Sequence, residues 1–172
     1  MDSSPAENKG RPDHQTVVEL LKKALDEGQS PTLTVISNSM SPLLEKGDQV
    51  TLSKCDFETL KKGDIITVTQ REALTTHRVV TVANEEIVTK GDCNFLLDEP
   101  INFNQVIGLV SLIKSQKLNT TIQLNARKHQ TKLNWIYYLA VLQHNLNVKT
   151  RNKLRAISVT FRGLRRLILK TI

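Results

Sequence analysis

Gly63-Asp64-Ile65-Ile66-Thr67-Val68-Thr69, followed by Thr75-Thr76-His77-Arg78-Val79-Val80-Thr81-Val82, gives two runs dominated by β-branched residues, the first introduced by a Gly-Asp pair. Valine, isoleucine and threonine are stiff at χ1 and fit a pleated surface better than a helix. Similar short runs cover Leu33–Ile36, Gln49–Leu52, Glu86–Thr89 and Val106–Ile113, with Gly47-Asp48 and Gly91-Asp92 as further turn signals. The spacing predicts a mainly β fold, a small, twisted and coiled β-structure with little room for helices between strands.

Outward from this region the periodicity changes. Val17, Val18, Leu20, Leu21, Ala24 and Leu25 recur at helical spacing, and Gly28 with Pro31 supplies a stop, so a helix is expected from about His14 to Glu27. Helical spacing returns from Asn125. Leu154, Ile157, Phe161, Leu164 and Ile168 step along one face, and Arg151, Arg155, Arg162 and Arg166 along another. The expected organisation is a disordered lead-in over 1–13, an N-terminal amphipathic helix over 14–30, a β-domain over 31–114 and a basic helical tail over 115–172. The polar stretch Ser115–Lys132 reads as the hinge.

A chain of 172 residues with 39% apolar side chains can bury one real core. Cys55 and Cys93 lack metal-type spacing, so neither a disulfide framework nor a zinc site is indicated. The polar start lacks the apolar core of an export signal. The longest apolar run, Trp135–Leu142, falls far short of the roughly 20 residues that cross a bilayer. A cytoplasmic protein is therefore expected. Charge divides sharply: residues 1–110 hold all 17 acidic residues and 11 basic ones, whereas residues 111–172 hold 13 basic and no acidic residues. Such asymmetry predicts an anionic partner for the tail. A basic amphipathic helix suits an anionic membrane surface through residues 149–172, or it packs its apolar stripe on the β-domain. No nucleic-acid-reading motif accompanies the charge.

Chemistry concentrates between Ser37 and Asp98. A serine hydroxyl becomes a useful nucleophile only when a base takes its proton. Ser39 ends a strand-like run and precedes Met40-Ser41-Pro42, where proline fixes a turn that exposes the hydroxyl. An ordinary loop serine would instead cap its neighbours. His77 lies in a strand, on one face with Thr75 and Val79, and an unperturbed imidazole titrates near about 6.5, so it can serve as a base at neutral pH. His14, His129 and His144 lack such a setting. A carboxylate that holds the imidazole comes from Asp92 or Asp98. Lys46, Lys54, Lys61, Lys62 and Lys90 are expected to be solvated charges.

The segments Ser37-Asn38-Ser39-Met40-Ser41-Pro42, Gly47-Asp48, Gly63-Asp64, His77-Arg78-Val79-Val80, Gly91-Asp92 and Val106-Ile107-Gly108, in that order, resemble the signal peptidase I family. The likeness runs from about Ser37 to Val110. It is to the archaeal and endoplasmic-reticulum branch, in which histidine stands where ordinary bacterial enzymes have lysine. Asn38 replaces the glycine usual between the two serines. The resemblance implies a fold of the LexA and signal peptidase type and a serine endopeptidase that cleaves a precursor or leader peptide after small residues, with no metal or organic cofactor. Ser39 would be the nucleophile and His77 the base. Asp98 is favoured for orienting His77 and Asp92 for shaping its loop. Ser37, by the resemblance, assists the oxyanion, and Met40 is grouped with it at the substrate-binding position. The rival readings are a self-cleaving regulator of the LexA kind and a non-catalytic binding protein of the same fold.

Overall fold

A computed structural model describes residues 12–117, 119–124, 135–139, 141–142, 144–145, 163–164 and 166–167. The first helix, α1 (His14–Asp26), starts where the Asp13 carboxylate accepts the Thr16 N–H at 2.8 Å. That bond satisfies one of the orphan donors of the first turn. The helix stops at Gly28, whose φ of +78° suits a residue without Cβ. Val18, Leu21 and Leu25 form its buried face.

Eight strands follow: β1 (Thr32–Thr34), β2 (Gln49–Ser53), β3 (Ile65–Gln70), β4 (Ala73–Ala83), β5 (Glu86–Lys90), β6 (Ile101–Asn102), β7 (Val106–Ser115) and β8 (Thr120–Gln123). They make one antiparallel sheet in the order β1-β2-β7-β3-β4-β5-β6, with β8 also paired to β7. The fold is mainly β with helical additions. Register shifts at Thr51/Leu52, Thr67/Val68 and Val79/Thr81 interrupt three of the ladders. Such irregularities bend strands and increase twist, and here they let the sheet coil around two cores. One core unites α1 with Met40, Leu44, Val50, Leu52, Ile113, Ile122 and Ile136; the other lies around Ile66, Val68, Val79, Ile87 and Ile101.

The sheet continues beyond the expected boundary at residue 114. Thr120–Gln123, inside the stretch read as a hinge, pairs with β7 and buries Ile122 against Ile113. Its apolar alternation consists only of Ile122 and Leu124, too brief to stand out among polar and basic neighbours. In the tail, residues 135–139 are helical, with Ile136 wholly buried and Trp135 and Tyr138 exposed. Of the two predicted tail stripes, Leu164 is exposed and Arg166 lies 3.8 Å from Glu45. Arg151, Leu154, Arg155, Ile157, Phe161, Arg162 and Ile168, and most of the lead-in, fall outside the described residues.

If β8 is part of the folded core, Ile122→Ala should cost about 2–5 kcal/mol. The change would be read as a lower urea midpoint with an unchanged slope. A residue in a solvated hinge would cost less than about 0.5 kcal/mol.

Candidate active site

β1 and β4 lie far apart in strand order, but coiling of the sheet brings the chain after β1 against the first half of β4. Leu33–Ser37 and Leu74–His77 line opposite sides of one cleft of about 470 Å³, floored by Met40, Leu44 and Val50 and reached by Asn94. Ser39 and His77 meet at one end. His77 Nε2 is 2.9 Å from Ser39 Oγ, and His77 Nδ1 is 2.6 Å from Asp98 Oδ2. An ionised carboxylate only accepts, so Nδ1 carries the proton and Nε2 presents its lone pair to the serine hydroxyl. His77 itself is 6% exposed, which keeps its ring out of competition with water.

Ser39 occupies a tight turn held from several sides. Ser41 N–H donates to Asn38 C=O, and Leu43 and Leu44 N–H both donate to Met40 C=O. The Asn38 side chain accepts the Lys46 N–H at 2.9 Å, so Asn38 ties the Ser39 turn to the turn before β2. From across the cleft, Cys93 N–H donates to Ser39 C=O at 2.7 Å, and Asp92 N–H lies 3.4 Å from Met40 Sδ. A Cβ on Gly91 would come 2.9 Å from that same Ser39 carbonyl oxygen, so the close approach requires glycine. Ser37 Oγ lies 3.2 Å from Ser39 Oγ on the exposed side.

The two candidate carboxylates have different surroundings. Asp98 accepts from His77 and also from Thr89 Oγ at 2.7 Å, while its own N–H donates to Thr89 C=O. Asp92 is fully buried and forms a two-pronged pair with Arg78, Nε to Oδ1 at 2.8 Å and Nη2 to Oδ2 at 2.7 Å. Arg78 Nη1 further donates to Gly63 C=O. Alternation along β4 explains the division: His77 turns towards the cleft and Arg78 to the opposite side. Met40, grouped with the substrate-binding residues, is 2% exposed and serves as cleft floor.

Four of the five lysines expected in solvent are exposed, but Lys90 is wholly buried, with Nζ 3.1 Å from Gly91 C=O. It ends β5 opposite Arg78, where the coiled sheet closes over it. No local sequence signal separates such a lysine from a surface one. His14 bonds Thr69 Oγ1 and His144 lies near Phe95 C=O, partners other than Ser39, and His129 is outside the described residues. Burial pushes the Cys55 thiol up to about 11, so it is protonated at neutral pH and does not compete as a nucleophile. Thr89 is a site contact the sequence did not single out, since a threonine in a strand carries no distinguishing mark.

No family model matches the chain, and no curated protein sequence matches it. The chemistry of the site therefore rests on its own geometry.

The two carboxylates should separate in experiment. Asp92→Asn leaves the buried Arg78 guanidinium without its countercharge and should lower stability by about 3–5 kcal/mol. Asp98→Asn, at a partly exposed position, should cost less than about 1.5 kcal/mol. Denaturant titration of the two variants side by side gives the answer, and equal losses would contradict the division.

Proposed function

We propose that this chain is a serine endopeptidase. The observation that carries the reading is the continuous Ser39–His77–Asp98 hydrogen-bond chain at the end of an open cleft, with the imidazole tautomer fixed by Asp98. In the proposed reaction Ser39 Oγ attacks a peptide carbonyl as His77 Nε2 takes its proton. His77 then returns that proton to the leaving amine, and water, activated by the same ring, releases the acyl group. The Ser39 N–H and the Ser37 hydroxyl are suited to receive the negative charge on the carbonyl oxygen. Asp98 holds Nδ1–H and stabilises the imidazolium throughout.

The cleft also suits an extended peptide. Backbone bonds from Val35 to Asp48 and Gly47 direct its polar groups towards β2, so those of Thr34 and Ile36 point towards the cleft. On the other wall, Val79 pairs with Gly63 and Asp64, which by alternation turns the polar groups of Leu74 and Thr76 cleftward. A substrate laid between the two as an added strand would find partners on both sides. The resemblance to signal peptidases adds the expectation of small side chains near the cut and of a precursor or leader peptide as substrate.

The deciding experiment compares peptide N-termini that appear in cells making the active protein with those made alongside Ser39→Ala. Cleavage sites present only with the former support the reading; identical sets, with both proteins folded, remove it. On a cleaved peptide, Ser39→Ala, His77→Ala and the double variant should all lose a similar factor, because residues acting as a unit are not additive.

Recruitment to an anionic membrane is part of the same proposal. Trp135, Tyr138 and Leu142 are exposed at spacings of three and four in the helical tail, as are Leu164 and Leu167, among an excess of basic side chains. Aromatic and aliphatic residues beside Lys and Arg suit a lipid interface. No helix among the described residues is long and apolar enough to cross a membrane, so the association would be peripheral. Each basic residue near such a surface adds on the order of 1 kcal/mol and is weakened by salt. Truncation before Lys149 should remove most co-sedimentation with anionic vesicles at low salt while leaving cleavage of a short soluble peptide intact. Equal binding by the two forms would exclude this role for the tail.

A further inference from the structure

Thr89 is 1% exposed, and a hydroxyl so thoroughly buried needs a partner. Its partner is the same Asp98 oxygen that takes the His77 proton: Thr89 Oγ lies 2.7 Å and His77 Nδ1 2.6 Å from Asp98 Oδ2. The carboxylate only accepts, so the hydroxyl is the donor. The Thr89 C=O also receives the Asp98 N–H at 2.9 Å, so one residue grips Asp98 by both main chain and side chain. Asp98 needs such a grip because it lies outside any strand, in the connection between β5 and β6, and is only partly buried. Thr89 has the rigidity that Asp98 lacks, since it is a β-branched residue in a strand paired to β4 opposite Val79, two positions from His77.

We infer that Thr89 is a positioning residue for the Ser39–His77–Asp98 unit, holding the Asp98 carboxylate in the one orientation that keeps Oδ2 on the imidazole. The inference rests on the proposed peptidase reading for its effect on rate, but the grip on the histidine–aspartate pair is independent of that reading. Thr89 touches neither the substrate cleft nor Ser39 and acts through Asp98 alone. The hydroxyl is the needed part. Valine fills nearly the same volume and keeps the main-chain bond, and serine keeps the donor.

Two measurements on the full chain test this. The first is the rate at which a fluorophosphonate labels Ser39, a reaction that forms an Oγ–P bond, expels fluoride and passes the serine proton to His77. Thr89→Val should slow labelling roughly 10-fold or more, the effect of losing one hydrogen bond to a charged group. Thr89→Ser should stay within about threefold of the unaltered protein, as expected where the donor is kept. In an Asp98→Ala background, Thr89→Val should cause no further loss, because a group acting through Asp98 has nothing left to act on. An additive loss would mark Thr89 as a packing residue and overturn the inference. If Thr89→Val does not fold, Thr89→Ala against Thr89→Ser makes the same comparison.

The second measurement is the low-temperature proton spectrum, with the His77 Nδ1–H signal assigned by its disappearance in His77→Ala. Thr89→Val should shift that signal or open it to solvent exchange, and Thr89→Ser should leave it in place. If the unaltered protein is not labelled, the peptidase reading fails and this signal alone decides the grip. A signal unmoved by Thr89→Val, or none in the unaltered protein, overturns the inference.

Discussion

The buried pair between Arg78 and Asp92 is the constraint on which the site depends. Two charges removed from water are costly unless each is matched in geometry and number of bonds, and here the guanidinium spends three of its donors on two carboxylate oxygens and the Gly63 carbonyl. That arrangement locks the 91–94 loop to β4. The loop in turn reaches across to the Ser39 turn through Cys93 N–H and Ser39 C=O, with Gly91 allowing the contact. Arg78, the residue after His77, thus helps fix the backbone of Ser39 through Asp92 and its loop. Two neighbouring side chains on one strand face opposite ways, His77 towards Ser39 and Asp98 and Arg78 towards Asp92.

The coiled sheet supplies the rest of the geometry. A flat sheet in this strand order would leave β1 and β4 separated by three strands, with Ser39 and His77 out of reach. Bulges at three ladders and the apolar faces of β2, β3 and β7 bring them together around shared cores. The cleft is consequently bounded by strand edges and has a floor of Met40, Leu44 and Val50 side chains. Stability and site geometry come from the same apolar contacts.

Much of this was legible in the sequence because the signals were short-range. β-branched runs mark strands whatever their partners, and Ser39, His77 and Asp98 stood in turn and strand contexts that limited their roles. What the sequence withheld depended on distant partners. Lys90 looks like any other lysine until the sheet closes over it, and Thr89 like any strand threonine until Asp98 folds beneath its hydroxyl. The β8 strand is too brief for periodicity to register, and β6 consists of two residues whose pairing only the ladder with β5 reveals. Arg71-Glu72 carries no glycine or asparagine, yet both residues adopt positive φ, 50° and 56°, to close the two-residue turn from β3 to β4. Asn84 in the turn from β4 to β5 is the more readable case.

Those two-residue turns bear on how the molecule comes into being. β3, β4 and β5 are consecutive and joined by the shortest possible connections, so their ladders close small loops at little entropic cost. The pairing of β2 with β7, on which the position of Ser39 relies, joins residues about 60 positions apart in the chain, as in Thr51 with Leu112. Local hairpins form faster than such distant pairings. By this reasoning the segment bearing His77 is expected to acquire its shape ahead of the segment bearing Ser39, and the two meet only as the curl of the sheet closes. In a chain still leaving the ribosome, Ser39, His77 and Asp98 are therefore not yet assembled.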